Sequence, residues 1–267
     1  MSRQTNTAKA AVVVERQAIY AGVVAWGVFL GFACVEQEPY PYERVYDQPL
    51  VIVAVDPDPE DPSPIARNQQ FSVTFNTYLD SEALPAFSAG LGLRSGGVRS
   101  FGQVRYSMVD KTLTWTTTRP MEPSFLYNLT FDGEVLRTVT GQPYIGPSGI
   151  PFEVGIYNQY TPPPDEPPTW AAIEPILEPC NTCHADPSWL LRPIDYDNLV
   201  GQRSDLSPDK VLVIPFDAPR SALMHVLVWD YPLRDVTAQP PAWAGYEQLS
   251  RDDQRHIERW IRGGAQP

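Results

Sequence analysis

Residues 71 to 75 read Phe71-Ser72-Val73-Thr74-Phe75, with an apolar side chain at every second position. Since successive side chains of a β-strand point to opposite faces, this alternation predicts a strand with one buried face. Four further runs are β-branched or alternating in the same way, and turn residues separate them: Val51-Ile52-Val53-Ala54-Val55, Val104-Arg105-Tyr106-Ser107-Met108, Thr112-Leu113-Thr114-Trp115 and Leu126-Tyr127-Asn128-Leu129-Thr130-Phe131. Short strands at this spacing predict an antiparallel β-sandwich over residues 49–155.

This segment resembles the bacterial Ig-like domain of surface-layer and other exported proteins. Three pieces carry the resemblance: Asp56-Pro57 before the strand that ends in Phe75-Asn76, Leu113-Thr114-Trp115, and Leu126-Tyr127-x-Leu129-x-Phe131. The resemblance implies a spacer or a partner-binding module. No histidine precedes residue 184, and we predict no catalysis in this domain.

The acidic composition argues against some classes of binding partner. The 267 residues carry 32 acidic and 20 basic side chains, for a formal net charge of −12. Such a charge argues against nucleic acid and against docking on an anionic membrane through basic side chains. The length and the 29 clustered prolines favour a chain divided into domains.

The N-terminal residues 1–33 read as a signal peptide. The run from Ala18 to Ala33 is almost wholly apolar, which suits a signal and is short for a spanning helix of about 20 residues. Leu30-Gly31-Phe32-Ala33 before Cys34 resembles a bacterial lipoprotein signal, which implies acylation of Cys34, although the aliphatic residue lies one position early. Simple cleavage near Ala33 and an uncleaved anchor are the alternatives. We expect an exported, periplasm-facing or cell-surface lipoprotein, held in the outer membrane by its lipid.

Two segments connect the predicted parts. Residues 34–48 are acidic and contain proline without periodicity, which is typical of a tether. Residues 156–168 include Thr161-Pro162-Pro163-Pro164-Asp165-Glu166-Pro167-Pro168, a composition that favours an extended spacer. The remaining residues, 169–267, form the predicted C-terminal domain.

The C-terminal domain contains Cys180-Asn181-Thr182-Cys183-His184. Two cysteines three apart with a histidine directly after them is the spacing that attaches a c-type haem. Cys180 and Cys183 would form the thioether bonds, and His184 would bind the iron. Zinc is an alternative that needs a fourth ligand from His225, His256 or a carboxylate. A chance match in an ordinary loop is the third reading.

Helix-capping residues mark a first and a last helix in this domain. Thr169 can cap a short helix that runs to Leu177 and contains Pro175. Ser250 caps the last helix and Gly263 ends it. Ile257, Trp260 and Ile261 share one face of that helix, which we expect to pack against the first helix.

The domain resembles the small cytochrome c-like domain of exported bacterial multidomain proteins. The resemblance is carried by the Cys180 to His184 motif and by three further stretches: Tyr196-Asp197-Asn198-Leu199-Val200, Ile214-Pro215-x-x-Ala218-Pro219-x-Ser221-x-Leu223, and Leu249-Ser250 leading to Trp260-Ile261-x-x-Gly264-Ala265. It implies a mainly α fold. Where the family has Met-Pro-Pro this chain reads Gln239-Pro240-Pro241, so the usual methionine ligand is missing. His225 or Met224 could replace it, or the iron could keep an open site.

The sequence therefore predicts a multidomain chain, an Ig-like β-sandwich followed by a mainly α cytochrome c-like domain. The predicted function is an exported mono-haem c-type cytochrome, not an enzyme, that carries single electrons with one covalent haem c. Its expected partners are redox proteins, within a larger membrane-associated complex. One alternative is a haem-based sensor or small-ligand binder with an open distal site. Another is a surface structural or adhesion protein with a vestigial haem domain.

Overall fold

The computed structural model describes residues 48–80, 91–96, 98–99, 102–157, 159–161, 166–186, 191–205, 207–232, 239 and 247–267. The predicted signal peptide, Cys34 and nearly all of the predicted tether lie outside these residues. The described residues belong to one compact unit. Among them, no helix is both long enough and apolar enough to span a membrane.

Two four-stranded antiparallel sheets make up the first part of the described chain. One has the order β1-β2-β6-β5, with β1 (Ile52–Asp56), β2 (Gln70–Phe75), β5 (Gly102–Ser107) and β6 (Thr112–Thr117). The other has the order β4-β3-β7-β8, with β3 (Leu91–Ser95), β4 (Val98–Arg99), β7 (Leu126–Phe131) and β8 (Gly149–Glu153). Each of the five runs that alternation marked as a strand coincides with β1, β2, β5, β6 or β7, which confirms those five predictions.

The core of this part lies between the two sheets. Phe71, Val73 and Phe75 of β2 are buried, as the alternation predicts. The Phe71 ring lies 5.9 Å from the ring of Trp115 in β6 and 5.1 Å from that of Phe152 in β8, measured between centroids. Aromatic side chains from the inner faces of both sheets therefore interdigitate, which is how a sandwich excludes water.

Five α-helices follow the sheets in the described chain: α1 (Trp170–Leu177), α2 (Asn181–His184), α3 (Tyr196–Leu199), α4 (Ala222–Leu227) and α5 (Arg251–Arg262). The Ser250 hydroxyl accepts the Asp253 amide at 3.1 Å and Gly263 follows the last turn of α5, which confirms the predicted ends of this helix. Thr169 takes the N-cap position of α1, as predicted, but its side chain makes no capping hydrogen bond.

Helices α1 and α5 pack through aromatic rings. Trp260, fully buried on α5, lies 5.4 Å from Trp170 between ring centroids, and its indole nitrogen donates to the Gln266 carbonyl at 2.8 Å. Ile257 and Ile261 are also fully buried. The predicted contact between the first and last helices is therefore confirmed.

The predicted fold class is wrong. Strands contain more of the described residues than α-helices do, and α5 alone among the described helices exceeds eight residues. A β-sandwich followed by a mainly α cytochrome c-like domain is not what this chain forms. Proline limits the helices, because it lacks the amide hydrogen and clashes with the preceding turn. Pro175 lies within α1, and Pro179 and Pro219 lie in 3-10 turns at Glu178–Cys180 and Ala218–Arg220.

Candidate functional site

The cysteine motif lies directly after α1. Cys180 ends the 3-10 turn and Cys183 belongs to α2, so the two thiols are one helical turn apart. Both are free and only partly buried. Burial is the largest influence on Cys180 and raises the pKa of its thiol. At neutral pH the raised pKa keeps this sulfur in the protonated form, which is a weak nucleophile.

Hydrogen bonds join helix α2 to the segment that follows it. The Asn181 side chain donates to the Ile194 carbonyl at 3.0 Å and accepts the Ile194 amide at 2.7 Å. The Nδ1 atom of His184 lies 3.2 Å from the Arg192 carbonyl oxygen. The imidazole of His184 is thus engaged by the protein backbone, since a carbonyl can only accept and Nδ1 must be the donor.

The candidates for a distal ligand lie on α4. Met224 is fully buried and is part of the hydrophobic core. His225 Nε2 lies 2.8 Å from the Pro219 carbonyl oxygen, and its ring stacks on Tyr231 with the centroids 4.5 Å apart. His256 is exposed on α5. These contacts give Met224 and His225 structural roles in packing their own helix.

The arrangement of these side chains contradicts the prediction of a haem c. Within the part of the chain that the structure describes, no three histidine, cysteine, aspartate or glutamate residues form a group that could hold a metal ion. The residues present therefore do not fit the predicted iron centre. The same finding counts against zinc, which needs four ligands around one point.

A second arrangement joins the C-terminal segment to the β5–β6 turn. We call it the turn interface: residues 107–111 with Asp230, Arg251, Arg255 and Glu258. Glu258 of α5 is 1% exposed. One of its carboxylate oxygens accepts the Met108 amide at 2.6 Å and the other accepts the Ser107 hydroxyl at 2.7 Å. Helix α5 thus delivers a buried carboxylate to the end of β5.

Four more contacts complete the turn interface. The Lys111 ammonium lies 3.0 Å from a carboxylate oxygen of Asp230, and the Tyr78 hydroxyl donates to the same carboxylate. Arg251 donates to the Val109 carbonyl at 2.5 Å, and Arg255 donates to the Asp110 carboxylate at 2.8 Å. Every residue of the turn therefore contacts the C-terminal segment through a hydrogen bond or an ion pair.

No pattern in the sequence predicts the turn interface. The signal that could have indicated it is the position of Glu258 on α5, directly after Ile257 and four residues beyond Gln254. Ile257, Gln254 and Glu258 are all buried. A carboxylate on the buried side of a helix needs a hydrogen-bond donor, although the sequence does not say which segment supplies it.

Comparison with known proteins gives no family. No protein-family model matches the sequence, and no curated protein is similar to it. Among solved structures, the surface-layer protein SbsC is 20% identical, with a TM-score of 0.30, and the match covers 46% of this chain and 16% of that one. L,D-transpeptidase 1 of Mycobacterium tuberculosis is 15% identical, with a TM-score of 0.24 and coverage of 39% and 38%. The chain thus spans less than half of either protein, and scores this low carry no conclusion about function.

Proposed function

We propose that this chain is an exported protein of the bacterial cell surface with a structural or partner-binding role. In this proposal the two sheets and the C-terminal segment act as one rigid module. The observation that carries it is the turn interface, in which the buried carboxylate of Glu258 accepts hydrogen bonds from the Ser107 hydroxyl and the Met108 amide.

Sliding of α5 along the β5–β6 turn would take the Ser107 and Met108 donors away from Glu258 while the helix stays packed. A buried carboxylate that loses its hydrogen-bond donors destabilises the protein by about 1 to 3 kcal/mol. Lys111 and Asp230 add an ion pair in the same place. A fixed orientation between the sheets and the helices follows, and a fixed orientation is what a spacer or a scaffold needs.

Exposed apolar side chains support a partner-binding role. Phe125 and Leu126, at the start of β7, are 54% and 59% exposed. Ile156 and Tyr157, just after β8, are 61% and 62% exposed. The Val154 amide donates to the Phe125 carbonyl at 3.1 Å, so the backbone segments that carry the two pairs run beside each other. Clusters of exposed apolar side chains mark interaction sites more often than isolated ones do.

Export rests on the sequence of residues 1–34, with its apolar run and Cys34. Electron transfer and haem-based sensing both require the predicted haem, so neither is proposed. Of the functions considered, the surface structural or adhesion role is the one that needs no prosthetic group.

Fractionation of the source bacterium tests the location. We expect the full chain in the envelope fraction, and we expect added protease to degrade it in intact cells. Recovery in the cytosol would overturn the proposal. The Cys34→Ala variant reports separately on the lipid: loss from the membrane fraction with export retained supports acylation.

Crosslinking on intact cells tests partner binding. Phe125→Ser with Leu126→Ser should reduce the yield of crosslinked complexes. Ile145→Ser is the matched control. Ile145 is similarly exposed, at 58%, but its amide donates to the Leu50 carbonyl and not to β7 or β8. Equal yields for the wild type and the double variant would contradict this part of the proposal.

A further inference from the structure

The Ser107 hydroxyl lies between two carboxylates at the turn interface. Its oxygen is 2.7 Å from Glu258 Oε2 and 3.3 Å from Asp110 Oδ2, and it also accepts the Asp110 amide at 3.2 Å. A hydroxyl has one hydrogen to donate. Ser107 can therefore satisfy one carboxylate at a time, and the shorter distance favours Glu258.

Protonation of Glu258 reverses one of these hydrogen bonds. A neutral carboxyl group can donate its own hydrogen to the Ser107 oxygen, which frees the Ser107 hydrogen for Asp110. The Met108 amide still has a carbonyl oxygen of Glu258 as its acceptor. Both protonation states are thus hydrogen-bonded, but the neutral state leaves no charge buried, and a buried charge is the costlier of the two.

We propose that Glu258, Ser107 and Asp110 form a proton-dependent latch, which holds α5 against the β5–β6 turn more tightly when Glu258 is neutral. The latch acts on the interface on which the proposed function also rests. It adds regulation, because a surface protein with this latch tightens in an acidic environment and loosens as the pH rises.

The charged and titratable groups that face Glu258 agree with this direction. Burial is the largest influence and raises the pKa of Glu258. The hydrogen bonds from Ser107 and Met108 and the charge of Arg262 on α5 lower it, and Asp110 raises it again. Tyr106 of β5 faces the carboxylate as well, and burial raises the pKa of this phenol. The net effect on Glu258 is a raised pKa.

The sign of the pH effect follows from this shift. The folded protein holds the Glu258 proton more tightly than the unfolded chain, in which a glutamate titrates at about 4.3. The stabilisation is therefore complete below that value and is lost as the pH rises through the raised, folded-state pKa. Asp230 does not obscure this window, because its own pKa is lowered and it stays charged throughout.

The test compares thermal unfolding of the full chain at about pH 5 and about pH 8. Glu258→Gln mimics the neutral carboxyl group, since its amide can donate to Ser107 and its oxygen can accept from Met108. We expect the wild type to melt roughly 2 to 4 °C lower at the higher pH. Glu258→Gln should lose this difference and should melt above the wild type at the higher pH.

His256→Gln is the matched control on the same helix. This imidazole is exposed on α5, with Nδ1 2.8 Å from the Asp252 carbonyl oxygen. We expect His256→Gln to keep the wild-type difference. A Glu258→Gln protein with the same pH difference as the wild type would overturn the latch and leave the rigid module intact. Separate unfolding of the sheets and helices in both proteins would instead overturn the proposed function.

Discussion

The ammonium group of Lys111 and the carboxylate of Asp230 lie 3.0 Å apart, although 119 residues separate them in the chain. The Lys111 nitrogen also lies 4.5 Å from the centroid of the Tyr78 ring, whose hydroxyl donates to the same carboxylate. The three side chains form one contact between the β5–β6 turn, the segment after β2 and the segment after α4. This contact is a second attachment, independent of Glu258.

Removal of this ion pair should weaken the folded state. We expect Lys111→Met to lower the free energy of unfolding by about 1 to 2 kcal/mol, because Asp230 loses a charged hydrogen-bond donor. A double-mutant cycle with Asp230→Asn, measured by urea unfolding, should give a coupling of about 1 kcal/mol. The matched pair is Arg137 with Asp80, where the arginine is 54% exposed against 20% for Lys111. We expect a smaller coupling there. Strict additivity at Lys111 and Asp230 would contradict the contact.

Asp230 should make the protein sensitive to acid. Burial raises the pKa of its carboxyl group, but the hydrogen bonds from Tyr78 and Lys111 and the charges of Lys111 and Arg251 outweigh burial, so the pKa is lowered. A lowered folded-state pKa stabilises the protein above the unfolded value of about 3.9, and this stabilisation is lost as the pH falls through the folded pKa. Urea titrations at acidic pH should show a smaller acid-induced loss for Asp230→Asn than for the wild type. An identical loss in both proteins would count against the assignment.

The Trp115 ring leaves no room for a side chain at residue 102. A β-carbon added at Gly102 would lie 2.2 to 2.6 Å from three atoms of this ring, which is 1% exposed. We expect Gly102→Ala to lower the free energy of unfolding by about 1 to 3 kcal/mol through overpacking. Gly133→Ala is the control, because there the nearest atom would be 3.7 Å away. Equal stabilities of the two variants would show that the Trp115 ring can move aside.

The correction of the haem prediction has a direct test. The chain should be produced in a host competent in cytochrome maturation and then digested with a protease. We expect the peptide that carries Cys180 and Cys183 to have the mass of its amino acids alone, and a denaturing gel stained for peroxidase activity to stay colourless. A heavier, coloured peptide that Cys180→Ala with Cys183→Ala abolishes would reverse the correction.

Much of the fold could be predicted from local patterns in the sequence. The alternation in Phe71 to Phe75 placed β2, because a half-buried strand needs an apolar side chain at every second position. Ser250 and Gly263 bounded α5, because helix ends need side-chain or glycine caps. Both signals lie within a few residues of the element that they define.

The rest depends on contacts between distant residues. The Met108 amide and the Glu258 carboxylate are 150 residues apart, and no local pattern joins them. The cysteine motif is a local pattern, yet the haem that it predicted is contradicted. Its spacing suggested a metal centre, but among the described residues no metal-binding group of histidines, cysteines and carboxylates comes together, and Met224 and His225 are engaged in their own packing. The fold class was wrong for a related reason, since prolines such as Pro175 keep the C-terminal helices short.

The central claim is that the sheets and the C-terminal segment unfold together, because the turn interface joins them. Hydrogen exchange measured by mass spectrometry across a urea series tests it on the full chain. Peptides from β2 and β6, around Phe71 and Trp115, are compared with peptides from α5, around Trp260. The account predicts one shared midpoint for both sets. Loss of protection in α5 at a clearly lower urea concentration than in β2 and β6 would contradict it.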